Sequence, residues 1–129
     1  MKILSVSPFP SDHEAVEAGV PPGHYQVLQA GDLTAALSMM QDVCIVVCEQ
    51  NLIGASWIDM LHRLRQRLNP PLLIVTSHLA DERLWAEALN LGAWDVLAKP
   101  LVKAEVNRSI EQALRHCCCR THAVTAQAS

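Results

Sequence analysis

An uninterrupted apolar run from Val43 to Cys48 is the feature that most constrains the fold of this chain. Its continuous apolar character indicates a strand buried on both faces, which is typical of a parallel sheet covered by helices on each side. The run ends in a carboxylate, Glu49. Because open parallel α/β sheets place their ligand or reaction sites at the carboxyl ends of strands, Glu49 marks a candidate functional edge.

Strand-like and helix-like segments alternate along the whole chain. Apolar runs predict strands over 3–7, 25–30, 43–49, 71–77 and 93–98. Amphipathic spacing predicts helices over 11–18, 33–40, 58–68, 81–91 and 102–117, with Asp32 as an N-cap and Gly92 as a left-handed C-cap. This order predicts right-handed βαβ units and a flavodoxin-like (βα)5 fold, a single α/β domain with a doubly wound five-stranded parallel sheet.

Length, charge and cysteine content narrow the class of protein. The 129 residues support one core, which we assign to residues 1–118, and the polar segment 119–129 is predicted to be a disordered tail or linker stub. The net charge of -3 leaves no basic footprint for direct nucleic-acid contact. We find no membrane-spanning run and no convincing signal peptide, and the odd count of five cysteines does not suggest a disulfide framework. A cytoplasmic protein is expected.

Polar side chains stand at the ends of four predicted strands. Ser7, Glu49, Thr76 and Lys99 each occupy such a position. Since the carboxyl ends of parallel strands meet at one edge, these residues are expected to share a crevice. A bond between the Glu49 carboxylate and the Lys99 ammonium is expected there, because a partly buried amine requires a partner.

Three sequence stretches carry a resemblance to a known family. The first, residues 46–54, contains the end of a predicted strand and its terminal acid. The second, residues 74–77, is a predicted strand end with two hydroxyl residues. The third, residues 92–100, follows the order Gly-Ala-x-Asp-x-x-x-Lys-Pro. Over roughly residues 2–118 the chain resembles a response-regulator receiver domain, the phosphoacceptor module of two-component signalling. The resemblance implies that Thr76, Lys99 and Pro100 are the phosphate-site and switch equivalents, and that the Lys99–Pro100 peptide bond is cis.

The chain departs from the family pattern where the chemistry takes place. Glu49 stands where the phosphoaccepting aspartate is expected, and Ser7 and Pro8 replace the acidic pair that holds magnesium. Magnesium prefers hard oxygen ligands, so its binding is expected to be weak or absent, and we expect no other cofactor and no metal site. We therefore expect a degenerate receiver that is not an enzyme and that signals by protein–protein binding without normal phosphorylation.

Partners follow from the same resemblance. The expected partners are a histidine kinase, an output domain or a downstream target, with no membrane contact. A homodimer through the fourth helix, fifth strand and fifth helix is also expected, with Trp85 and Trp94 as candidate anchors, although core packing is the commoner role for at least one tryptophan. The sequence does not identify the cognate kinase, the output or the oligomeric state.

Plainer interpretations of these residues stay open. Glu49 and Lys99 are also compatible with ordinary surface charges, Thr76 suits a strand for packing alone, and His78 fits a polar loop. Residues 117–119 are three consecutive cysteines, which point in different directions on a helix and so favour a helix end over a metal site. Cys44 and Cys48, four residues apart on a strand, are expected on one face as small buried hydrophobes.

Two other functions remain alternatives. One is a receiver that is phosphorylated on a non-standard residue. The other is a small flavodoxin-like cofactor-binding protein. Against the cofactor binder, the segment 7–11 that follows the first strand contains no glycine and two prolines, so it offers few backbone amides to a phosphate.

Overall fold

The structure is a computed structural model that describes the backbone of residues 1–23 and 25–128 and the side chains of residues 1–23 and 25–117. Five parallel strands form one sheet in the order β2-β1-β3-β6-β7. Their bounds are β1 (Lys2–Val6), β2 (Gln26–Ala30), β3 (Val43–Glu49), β6 (Leu72–Ser77) and β7 (Asp95–Ala98). The predicted flavodoxin-like doubly wound fold is confirmed, with β3 at the centre of the sheet.

Four helices connect successive strands of this sheet, and a fifth follows its last strand. They are α1 (Pro10–Gly19), α2 (Leu33–Ser38), α3 (Trp57–Leu64), α4 (Glu82–Leu91) and α5 (Lys103–Ala128). Side-chain caps fix several N-termini, since Asp32 accepts a hydrogen bond from the Ala35 amide and Asp81 accepts one from the Leu84 amide. Gly92 ends α4 in the left-handed conformation, as the sequence predicts.

Apolar side chains cover both faces of the sheet. One face packs against α2, α3 and α4 through residues such as Ala36, Met60 and Leu84. The other face packs against α1 and α5 through Val16 and Ile110. This two-sided burial explains why β3 lacks polar alternation in the sequence. In the part of the chain that the structure describes, no helix is long and apolar enough to cross a membrane.

The segment after β3 differs from the prediction. A two-stranded antiparallel hairpin, β4 (Asn51–Leu52) and β5 (Ala55–Ser56), precedes α3. Helix α3 then ends at Leu64 and not at residue 68. Ile58 and Leu68, the apolar residues at the two ends of the predicted span, are exposed. A capping box formed by Ser56 starts the helix one residue earlier than predicted, which turns the face carrying Trp57, Met60, Leu61 and Leu64 toward the core.

An irregularity in the β1–β3 pairing corrects the expectation for two cysteines. Lys2 pairs with Val43 but Ile3 pairs with Ile45, so Cys44 is an extra residue in the ladder. Cys44 therefore packs with the cluster beneath α1 and α5, whereas Cys48 packs with the opposite cluster. The prediction that both lie on one face was wrong because a bulge breaks the two-residue period of the strand.

The last helix extends past the predicted domain boundary. Its backbone is helical to Ala128. The side chains from residue 118 onward, and residue 129 as a whole, lie outside the described residues, so the prediction of a disordered tail or linker stub over residues 119–129 stays a prediction. The division into a domain of residues 1–118 and a tail stays a prediction.

Candidate functional site

The carboxyl ends of the central strands gather the predicted polar residues. Ser7 directly follows β1, Glu49 is the last residue of β3, and Lys99 directly follows β7. Thr76 lies in β6 in register with Glu49 and is buried. The crevice predicted from four distant sequence positions therefore lies at one edge of the sheet.

Lys99 is the centre of this edge. Its ammonium Nζ lies 2.9 Å from Glu49 Oε1 and 2.5 Å from Asp12 Oδ2, and only 3% of its side chain is exposed. The Phe9 ring covers it further, with the ring centroid 5.1 Å from Nζ. The expected Glu49–Lys99 bond is present, and a second carboxylate shares the same ammonium.

Both carboxylate oxygens of Glu49 have donors. Oε1 accepts a hydrogen bond from the Lys99 ammonium at 2.9 Å, and Oε2 accepts a short one from the backbone amide of Asn51. The residue is 5% exposed. Glu49 is therefore a structural acceptor at the start of the β4–β5 hairpin and is not a solvated carboxylate at a loop entrance.

Asp12 is the acid that sequence reasoning missed. It lies in the first turn of α1, where Pro10 starts the helix, and it accepts a hydrogen bond from the Ser7 hydroxyl at 2.6 Å. A carboxylate one turn into the helix that follows β1 faces the same edge as the strand ends. That position was the available signal, because the first turn of α1 lies directly above Ser7 and Pro8.

A second polar group supports the end of β1. The His13 Nε2 donates to the Ser7 carbonyl at 3.0 Å, and its Nδ1 lies 2.8 Å from the Ser5 hydroxyl. His13 and Ser5 are both buried. Sequence reasoning missed this pair too, since a histidine and a serine eight residues apart carry no motif. The pair holds the first turn of α1 against β1 and so positions Asp12.

The remaining predicted site residues lie around this charged cluster. Pro8 is half-buried beside Ser7, and Pro100 is exposed. The Lys99–Pro100 peptide bond is cis, as the resemblance implies. A cavity of about 340 Å³ opens beside the cluster. Its lining includes Phe9, Asp12, His78, Lys99 and Pro100.

Magnesium, which the resemblance implies, does not fit the residues at this edge. Magnesium takes carboxylate oxygens together with several waters in octahedral geometry. Here Asp12 and Glu49 are both bonded to the Lys99 ammonium. The Ser7 hydroxyl donates its hydrogen bond to Asp12, and Pro8 can supply only its backbone carbonyl oxygen. A divalent cation would have to displace the Lys99 ammonium from both carboxylates. These side chains therefore form an ion-paired cluster and do not offer free oxygen ligands to magnesium.

The two candidate anchor tryptophans differ in exposure. Trp85 on α4 is 48% exposed. Trp94 precedes β7, is half-buried, and packs against the cluster beneath α1 and α5, with its ring centroid 5.0 Å from that of His116. Trp94 thus has a packing role, and Trp85 is the tryptophan that a partner can reach.

Comparison with known proteins gives a consistent set of neighbours. No protein-family profile matches the chain. The transcriptional regulatory protein FixJ of Bradyrhizobium diazoefficiens is 38% identical over 71 residues, which cover 54% of this chain and 34% of that protein. The signal receiver domain of an HD domain-containing protein from Pseudomonas fluorescens aligns with a TM-score of 0.81 at 25% identity, covering 94% of this chain and 91% of that one.

A further structural neighbour supports the same fold. The chemotaxis response regulator CheY4 of Vibrio cholerae aligns with a TM-score of 0.76 at 17% identity, covering 87% of this chain and 97% of that one. The structural neighbours are receiver domains of response regulators. The chain spans about a third of the length of its curated relative FixJ.

Proposed function

We propose that the chain is a receiver domain of the response-regulator type, and that it signals through protein contacts without accepting a phosphoryl group at Glu49. One observation carries this proposal: the buried Lys99 ammonium binds Glu49 and Asp12 together. We further propose that the domain is not an enzyme and that it works in the cytoplasm.

Phosphoryl transfer requires a nucleophilic oxygen in line with the donor and cations that neutralise the developing charge. Both oxygens of Glu49 already accept hydrogen bonds, one from Lys99 and the other from the Asn51 amide, and these bonds make the carboxylate a weaker nucleophile. Glutamate is also one methylene longer than aspartate. A misplacement of about 1 Å can cost on the order of a hundredfold in rate.

The test is chemical labelling. Purified protein is incubated with a small acyl phosphate, with and without magnesium, and its intact mass is measured. We expect no added phosphoryl group. The matched positive control is the Ser7→Asp, Pro8→Asp, Glu49→Asp variant, with and without Asp12→Ala, which removes the competing partner of Lys99. We expect labelling of this variant in the presence of magnesium.

Two results would overturn the proposal. Labelling of Glu49 in the unaltered chain at the rate of the variant would restore ordinary receiver chemistry. Labelling of another residue would favour the alternative of a receiver that is phosphorylated at a non-standard position. Peptide mapping of the labelled protein distinguishes the two.

Trp85 is the proposed anchor for a protein partner. We propose a partner among histidine kinases, output domains and downstream targets, with a homodimer through α4, β7 and α5 as one form of contact. Exposed tryptophan gives large contact area, and truncation of such an anchor costs about 2 kcal/mol or more. We expect Trp85→Ala to weaken any self-association at least tenfold in sedimentation experiments. The exposed Leu68 lies after α3, so Leu68→Ala is the matched control.

A further inference from the structure

Two cysteines meet at the end of the sheet opposite the charged cluster. Cys44 is the bulge residue at the start of β3, and Cys117 lies on α5. The Cys117 thiol donates a hydrogen bond to the Cys44 carbonyl at 3.4 Å. Both side chains pack in the cluster formed with Ile3 and Ile45. The bulge thus brings Cys44 to the face of the sheet on which Cys117 packs.

The two cysteines of β3 have opposite chemical character. The neighbouring Cys117 side chain is the main cause that lowers the pKa of Cys44 to about 7, against the effect of burial and with help from the Met1 amino group. Burial, reinforced by the Glu49 carboxylate, raises the pKa of Cys48. Since the thiolate is the nucleophile, Cys44 is reactive near neutral pH and Cys48 is inert. Cys44 is half-buried, so a small oxidant reaches it.

We propose that Cys44 and Cys117 are a modification site, at which hydrogen peroxide forms a reversible disulfide that ties α5 to β3. Neither the resemblance nor the proposed function assigns a role to these residues. In a reducing compartment such bonds are transient and are usually redox-sensing.

The chemistry balances with one peroxide molecule. The Cys44 thiolate attacks one peroxide oxygen, the O–O bond breaks, and a Cys44 sulfenic acid forms while hydroxide leaves. The Cys117 sulfur then displaces the sulfenic hydroxyl, which leaves as water with the thiol proton. The hydroxide takes up the proton that Cys44 lost on ionising. Together the two sulfurs lose two electrons, and peroxide is reduced to two molecules of water. Thioredoxin-like dithiols reverse the reaction by exchange.

The bond would act on the position of α5. It would link residues 73 apart in sequence and so would restrict the unfolded chain strongly. It would also hold the part of α5 around Cys117 on the sheet, at the end of β3 remote from Glu49. Oxidation is therefore expected to stabilise the domain without altering the Lys99 cluster.

The experiment uses the full chain carrying Cys118→Ser and Cys119→Ser, so that Cys117 is the one cysteine that remains on α5. Stoichiometric hydrogen peroxide should lower the intact mass by about 2 Da and remove two titratable thiols. It should raise the melting temperature by about 10 °C, and dithiothreitol should reverse all three changes. Adding Cys44→Ser or Cys117→Ser should abolish them, whereas Cys48→Ala is the matched control that should keep them.

Any of three outcomes would overturn the proposal. They are a disulfide-linked dimer on a non-reducing gel, a gain of two oxygens on Cys44 with no loss of the Cys117 thiol, and unchanged thiols after peroxide. Peptide mapping gives an independent test on the oxidised chain that carries only Cys118→Ser and Cys119→Ser. The proposal requires a disulfide-linked pair of peptides, one containing Cys44 and the other containing Cys117. This keeps the test valid where a serine variant fails to fold.

Discussion

Lys99 supplies one positive charge to two carboxylates, Asp12 and Glu49, in a region nearly closed to water. Such a cluster is tolerated because each acid has a further donor, the Ser7 hydroxyl for Asp12 and the Asn51 amide for Glu49. Breaking a buried pair is costly mainly because it leaves the other charge uncompensated. Neutralising either of these two acids is therefore expected to lower the free energy of unfolding more than neutralising an acid on the surface does.

Replacing Asp12 by asparagine tests this cluster at minimal steric cost. Asp12→Asn keeps the shape but removes the charge that faces Lys99 at 2.5 Å, while Glu49 still pairs with the ammonium. We expect a loss of about 1–3 kcal/mol in the free energy of unfolding, measured by urea denaturation. Glu14→Gln, on an exposed position of the same helix, should change it by less than about 0.5 kcal/mol. Equal effects of the two variants would contradict a structural role for Asp12.

The reactivity of Cys44 should follow its ionisation. Its pKa is lowered from 9.0 to about 7, first by the Cys117 side chain. Because only the thiolate reacts, the rate of alkylation by iodoacetamide should rise with pH, reach half of its maximum near pH 7, and level off about one unit above. Mass spectrometry follows the reaction at Cys44. A half-maximum near pH 9 would mean that Cys117 does not act on this thiol. The Cys117→Ala variant, which has no side-chain donor, is expected to show that behaviour.

At the scale of elements, the end of α4 shows how two helices depend on one glycine. Gly92 has φ of +104°, a conformation that side-chain-bearing residues rarely adopt. A Cβ built on Gly92 would meet the Arg65 guanidinium, which is the mobile end of a side chain that follows α3 and can move aside. Gly92→Ala should therefore lower the free energy of unfolding by about 1–2 kcal/mol, mainly because of the positive φ.

Two variants separate the effect of the backbone conformation at Gly92 from the effect of the contact with Arg65. Gly31→Ala is the matched control, since no atom lies within 4 Å of its Cβ position, and it should be nearly neutral. Adding Arg65→Ala to Gly92→Ala removes the contact with the guanidinium alone, so chemical denaturation should show little recovery. Full recovery would mean that the backbone conformation contributes nothing.

The sequence predicted the elements better than it predicted their contacts. Periodicity located five strands and five helices, and the order of strand ends predicted the edge that gathers Glu49 and Lys99. The bulge at Cys44 could not be predicted from the sequence. Both faces of β3 are buried, so its run of apolar residues shows no alternation that a bulge would interrupt. Asp12 was not predicted as a site residue, because its partner Lys99 lies 87 positions away and no local sequence pattern indicates a contact between residues so far apart.

At the scale of the whole molecule, the sheet separates two kinds of chemistry. Ion pairs occupy the carboxyl ends of its strands, and the Cys44 and Cys117 thiols lie at the end where β3 begins. A ligand that binds only the folded state raises global stability by an amount that grows with the logarithm of its concentration relative to its dissociation constant. The stability of the whole domain therefore reports on whether the charged edge accepts a divalent cation.

Magnesium should leave this stability almost unchanged. A site with a dissociation constant of 1 mM would stabilise the domain by about 1.4 kcal/mol at 10 mM magnesium, or roughly 5 °C in melting temperature. Because Lys99 already bonds both acids, we expect a shift below about 1 °C relative to an equal ionic strength of sodium chloride. The Ser7→Asp, Pro8→Asp, Glu49→Asp variant should show the larger shift, since it adds two carboxylates at the end of β1. A rise of several degrees in the unaltered chain would mean that the cation displaces the Lys99 ammonium, and the ion-paired cluster would then be a magnesium site held closed by its own lysine.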